Sequence, residues 1–167
     1  FQVTTPLVPG GHSFTVTATD AAGNVSLPSA SFNVSVDTTA PAAITSFTVT
    51  DDISPVTGTL SSGATTNDNR PTISGFGATP NTTVIIMDGT LEIGRADVNA
   101  LGIWSFTPVT GLPEGPHSLT LLVTDAAGNT SAPTLAFNLT VDTVTPSAGA
   151  LPIVSDNFGA VTGDLLN

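Results

Sequence analysis

The sequence predicts an all-β chain of antiparallel sandwiches, and three observations carry that expectation. Apolar and polar residues alternate with a period of two through several segments. In Ser118–Asp125, Leu119, Leu121 and Val123 share one face, with Thr120, Leu122 and Thr124 on the other. That spacing suits a half-buried strand and not a helix. Thirteen Pro and 16 Gly are spread along 167 residues, which leaves no stretch able to sustain a long helix. Finally, Leu7–Leu60 and Leu112–Leu165 align without a gap at a separation of 105 residues, with 26 of 54 positions identical. A period of 105 is too long for a solenoid and is the size of a small domain.

The second copy clarifies the first. Asp20-Ala21-Ala22-Gly23-Asn24 returns as Asp125-Ala126-Ala127-Gly128-Asn129, His12 as His117, Phe32 as Phe137, Asp37 as Asp142 and Pro41 as Pro146. In the segment matching Ser118–Asp125, Phe14, Val16 and Ala18 remain apolar while Thr15, Thr17 and Thr19 are all polar, which identifies the buried face. Phe1 falls where Phe106 falls in the second copy. The expected organisation is therefore the last part of one repeat in 1–36, a complete repeat in 37–141, and a linker with the first strand of another in 142–167.

Seven strands are expected in the complete repeat. They are Ile44–Asp51 (continuing past Pro55), Arg70–Gly75, Thr83–Met87, Leu91–Asp97, Ile103–Pro108, His117–Asp125 and Thr134–Asp142. Turns rich in Gly, Pro, Asn and Asp separate them, among them Asp88-Gly89, Asn99–Gly102 and Glu114-Gly115-Pro116. Seven short strands in about 100 residues is the pattern of an immunoglobulin-like sandwich. The usual cystine is absent, since the chain has no Cys, and so is a tyrosine corner, since it has no Tyr. Trp104 and Phe106, alternating across Ser105, are the expected large core anchors.

Composition narrows the function. Only 9% of residues are charged; Arg70 and Arg95 are the sole Lys/Arg cations against eleven Asp and two Glu, a formal net charge of −11. Such a chain repels nucleic acid and anionic membrane surfaces, and its natural small partners are cations. No run of about 18 apolar residues is present, so no membrane insertion is expected. No basic region followed by an apolar run opens the sequence, and because it opens inside a repeat this says nothing of export. The two His occupy one position in two copies, precede a strand and do not form a catalytic pair. No Ser/His/Asp grouping and no Gly-rich phosphate loop is recognisable, so an enzyme is not expected.

The segments Asn81–Gly89, Gly102–Pro108, Leu112–His117 and Thr124–Ser131 resemble the bacterial Ig-like repeats of giant surface adhesins and biofilm-associated proteins. The most specific piece is Thr-Asp-Ala-Ala-Gly-Asn-x-Ser followed by Val-Asp-Thr-x-x-Pro, and the likeness extends over the full repeat and both partial ones. The resemblance implies a place at the bacterial cell surface, export by a type I system, and Ca²⁺ near domain junctions. Neighbouring repeats of the same chain are the implied partners, with a host surface or biofilm matrix beyond them.

Tracing the strands up and down sorts the acidic residues by end. The upper end, where the chain comes in, should gather Asp37 with the turns at Asp97/Asn99 and Asp125–Asn129, with Asp51 and Asp52 as further candidates. At the next boundary Asp142 and Asp156 should meet the lower turns near Asp68, Asp88 and Glu114. Carboxylates and amide oxygens without Lys or Arg suit Ca²⁺, which takes 6–8 oxygen ligands in irregular cages. The candidate metal residues are thus Asp37, Asp51, Asp52, Asp97, Asp125, Asn129, Asp142 and Asp156. For each a simpler role stands beside the metal: Asp125–Asn129 is also a good turn, and Asp37 and Asp142 could merely end a strand. Asp97-Val98-Asn99 begins like a helix-loop-helix Ca²⁺ loop but lacks the sixth-position Gly and the closing Glu, which excludes that motif.

A stalk of tandem repeats whose joints are stiffened by Ca²⁺, serving adhesion or biofilm formation, is the leading expectation. The alternatives are a module that binds a glycan or host protein through one end of the sandwich, and a spacer for a surface enzyme.

Overall fold

The structure is a computed structural model that describes residues 4–147 and residue 149. Among them there is no helix, and eleven strands form three sheets. Strands β1 (Gly10–Phe14) and β2 (Phe32–Val36) pair alone. The rest make a sandwich: β3 (Thr48–Asp51), β4 (Gly58–Thr59), β5 (Ala64–Thr66), β6 (Thr72–Gly75), β7 (Thr83–Asp88), β8 (Leu91–Asp97), β9 (Trp104–Phe106), β10 (Gly115–Thr124) and β11 (Phe137–Val141). One sheet runs β4-β3-β6-β9 and the other β5-β11-β10-β7-β8. All pairings are antiparallel except β5 with β11.

The seven expected strands are all present: four are shorter, β8 has the expected bounds, β7 and β10 are a residue longer, and the first ends at Asp51 instead of continuing past Pro55. Two were not foreseen. β4 and β5 subdivide the long connection after Asp52, where the chain leaves β3, pairs back on it through Gly58–Thr59, and then crosses to lie beside β11. The alternation read from sequence is realised in β10, where His117, Leu119, Leu121 and Val123 are buried and their neighbours are half-covered. The core packs Val49, Ile73 and Trp104 of one sheet against Val84, Ile86, Leu119, Leu121, Leu139 and Val141 of the other. Complete burial of a Leu or Ile side chain contributes about 1.5–3 kcal/mol, so this block dominates the fold's stability. Trp104 is 2% exposed, as expected of an anchor, although its Nε1 has no hydrogen-bond partner. Gly94 lets Phe106 reach the core, because a Cβ there would stand 2.1 Å from the Phe106 ring.

The hairpin β1–β2 reproduces β10–β11. Gly10 pairs with Val36 and Phe14 with Phe32, as Gly115 pairs with Val141 and Leu119 with Phe137. Their burial differs sharply. Val16 and Phe32 are 70% and 69% exposed, whereas the matching Leu121 is fully buried and Phe137 packs against the core. Among the described residues, nothing covers the apolar face of the first hairpin as the β3–β6–β9 sheet covers the second.

Candidate functional site

At the upper end, backbone chemistry closes the Asp125–Asn129 turn. Asp125 Oδ1 accepts the N–H groups of Ala127 and Asn129, both at 2.9 Å, and Oδ2 accepts Asn129 Nδ2 at 2.9 Å. The amide donated by Asn129 holds the Asp125 carboxyl below its ordinary value; partial burial opposes this and the backbone N–H groups reinforce it. Asp20 and Asn24 make the same three bonds at 2.9, 2.9 and 2.8 Å, and Asn24 lowers Asp20 in the same way. Sequence identity thus extends to atomic detail. Asn129 Nδ2 also donates to the carbonyl of Asp37 at 3.1 Å, tying the incoming linker to this turn. A shallow groove there is lined by Asp37, Pro41, Asn81 and Asp125.

Asp37, Asp125 and Asn129 are therefore linked at one end, Asp37 through its backbone carbonyl while its carboxylate accepts Thr39 N–H. Asp97 does not join them: it ends β8, and its carboxylate accepts the hydroxyl of Thr83 across the β7–β8 pair at 3.1 Å. Asn99 likewise serves its own loop, accepting Leu101 N–H and Ile103 N–H.

Asp51 and Asp52 need a correction. The sequence suggests them as further partners of Asp37 at the upper end, but β3 runs downward and delivers both to the lower end. The Asp51 carboxylate is buried there, accepting Ile53 N–H and the Thr66 hydroxyl. Asp52 N–H approaches Asp68 Oδ2 at 3.4 Å. Asp142 lies at this same end, its N–H donating to Thr66 carbonyl at 2.8 Å. The lower end thus collects Asp51, Asp52 and Asp142 with Asp68, a residue that the sequence reading had placed in a lower turn without naming it a ligand candidate. Asp68 is 2% exposed and accepts Arg70 N–H at 2.7 Å. The signal was available in Asn67-Asp68-Asn69, but that run reads equally well as an exposed turn. Arg70, the nearby cation, turns its Nε to the Pro108 carbonyl at 2.7 Å.

The outgoing linker is held from the opposite side. Glu114 accepts the N–H of Thr143 at 3.1–3.2 Å and also its hydroxyl. Asp142 Oδ1 accepts Val144 N–H at 3.1 Å, and Asp37 Oδ1 accepts Thr39 N–H at 2.9 Å, so both linkers begin with the same turn. Asp156, which matches Asp51 in the repeat alignment, lies outside the described residues. Among the described residues, no three His, Asp or Glu side chains converge as a metal cluster. Within a single repeat, the candidate carboxylates are instead occupied largely by backbone N–H groups and hydroxyls.

A solved structure described as a biofilm associated protein, BSP domain, is 18% identical with a TM-score of 0.37; the match covers 84% of this chain and 27% of that one. No curated protein matches. The family model of the bacterial Ig-like domain matches residues 42–143, which takes in every strand of the sandwich and both ends of the repeat. The chain belongs to the bacterial Ig-like domain family.

Proposed function

We propose that the chain is a section of an extracellular adhesin stalk, built of tandem Ig-like repeats whose joints are stiffened by Ca²⁺. The observation that carries this reading is the recurrence, 105 residues apart, of one hairpin with one register and one set of turn hydrogen bonds, each followed by Val-Asp-Thr. A unit so reproduced builds length by repetition, and Asp142 serves the next repeat as Asp37 serves this one. Residues 1–36, 37–141 and 142–167 are on this reading the end, the whole and the start of successive repeats at the bacterial surface, exported by a type I system and facing a host surface or biofilm matrix.

Since the described residues bring no three carboxylates together, a Ca²⁺ site needs oxygens from both sides of a joint. Asp51, Asp52 and Asp142 at the lower end of one repeat, with Asp125 and Asn129 at the upper end of the next, are the proposed ligands. The ion supplies positive charge; the chain supplies carboxylates that otherwise repel one another across the joint. Calorimetry on a chain carrying residues 37–141 twice in tandem tests this, because the second Asp37 then stands at the place of Asp142. Binding is expected at about 10⁻⁴–10⁻³ M. It should weaken when the Asp37 at the joint is replaced by Asn, while the apo melting temperature holds or rises. Undiminished binding by that variant, or equal binding by one isolated repeat, refutes the shared site.

A second reading is favoured by one feature. Phe76 is 80% exposed beside a groove that also holds Phe47 and Ile103 with the hydroxyls of Ser46, Thr48, Ser74 and Ser105. An exposed ring among hydroxyls suits a sugar, and specific hits on a glycan array, lost on Phe76→Ala, would move direct ligand binding ahead of the stalk.

A further inference from the structure

The ring of His117 lies between two groups that can only accept hydrogen bonds. Its Nδ1 is 2.6 Å from Asp88 Oδ2 and its Nε2 is 2.8 Å from the Pro113 carbonyl. A neutral imidazole carries one N–H and one lone pair, so it serves only one of these acceptors; an imidazolium serves both. Asp88 is itself fixed, its Oδ1 accepting Ser118 N–H at 2.9 Å. Pro113 adjoins Glu114, the residue that receives Thr143 of the outgoing linker. His12 holds the same relation to its own loop, with Nε2 2.8 Å from the Val8 carbonyl four residues earlier, so the contact belongs to the repeat.

We propose that His117 is held as an imidazolium and acts as a proton-dependent latch, fastening the Pro113–Glu114 loop, and through Glu114 the outgoing linker, to the β7–β8 turn. When the proton leaves, Nδ1–H stays with the Asp88 carboxylate and Nε2 presents a lone pair to the Pro113 carbonyl. Two facing lone pairs repel, the loop lets go, and the grip of Glu114 on Thr143 weakens.

The surroundings favour the charged form. Asp88 faces the ring from the end of β7; β11 presents Asn138, Leu139 and Thr140, and Gly63 lies just before β5, none of these four charged. Glu114 on the loop and Asp142 on the linker add negative charge at this end, and Arg70 is engaged with Pro108. Burial is the largest single influence on His117 and opposes protonation, but the Asp88 bond, the Pro113 carbonyl and the Asp88 charge together outweigh it, and the titration moves above the ordinary value of 6.5. The folded value being raised, the latch is fully made below the ordinary value and is lost as pH rises through the folded one.

Nitrogen-detected NMR of the imidazoles in the full chain, with the Thr143 amide followed from about pH 5 to about pH 9, tests the latch. At pH 6.5, the ordinary value, most of His117 should still carry a proton on both ring nitrogens, and the Thr143 amide shift should follow the His117 titration with the same midpoint. His117→Gln should flatten that response, and Asp88→Asn should bring the His117 midpoint down. A midpoint at or below the ordinary value of 6.5, or one unmoved by Asp88→Asn, overturns the imidazolium. A Thr143 amide indifferent to His117 titration overturns the link to the joint. Neither outcome depends on Ca²⁺, so the latch fails or stands separately from the metal site.

Discussion

Single residues show how little slack the sandwich has. Gly94 in β8 leaves the space that Phe106 fills, and a methyl at Gly94 would overlap the ring at 2.1–2.3 Å. Overpacking of this kind typically costs about 1–3 kcal/mol, so Gly94→Ala should lower the unfolding free energy by that amount and move the denaturation midpoint down. An unchanged midpoint would mean that Phe106 can swing aside, and its role as a core anchor would be withdrawn. Asp125 acts through geometry instead of bulk. Its carboxyl is lowered by Asn129, so its contribution is present above the ordinary carboxylate range and disappears as pH falls through the lowered folded value. Asn129→Ala should raise the Asp125 titration midpoint in carboxyl-detected NMR and free the Asp37 carbonyl; an unmoved midpoint would place the cause elsewhere.

At the scale of elements, the two copies of the hairpin offer an internal comparison. Leu121 is fully buried and its counterpart Val16 is 70% exposed, though they are bonded alike, Val16 to the backbone N–H and hydroxyl of Ser29 and Leu121 to those of Thr134. Leu121→Ala should cost about 2–5 kcal/mol in chemical denaturation, whereas Val16→Ala should stay within about 0.5 kcal/mol. Similar losses at both positions would show that the first hairpin's face is covered after all. The same difference predicts faster amide exchange in β1–β2 than in β10–β11, since a lone hairpin is marginal in water. The long strands were legible because alternation marks them: Leu119, Leu121 and Val123 announce a buried face. β4 and β5 were not, because Gly58–Thr59 and Ala64–Thr66 hold no apolar alternation and owe their extended form to β3 and β11, far away in sequence. Which ends share which carboxylates was legible for Asp37 and Asp125, whose linker and turn are local to one end. For Asp51 and Asp52 it depended on strand direction, and for the His117–Asp88 pair on a contact between residues 29 positions apart.

For the whole molecule, the central matter is how one repeat meets the next. Among the described residues, every candidate carboxylate lies near an end of the sandwich, and the linkers leave as Val-Asp-Thr in both copies. Charges gathered at joints repel when bare and draw together around a divalent ion, so Ca²⁺ should act on orientation between repeats and leave each sandwich as it is. Circular dichroism of the isolated repeat should accordingly be the same with and without the ion. The joint is best probed by small-angle scattering of the chain carrying residues 37–141 twice, measured first in chelator and then in millimolar Ca²⁺. A larger maximum dimension and a narrower distribution of shapes are expected with Ca²⁺, with both changes lost when the joint Asp37 becomes Asn; superimposable profiles with and without the ion would rule out a Ca²⁺-stiffened joint.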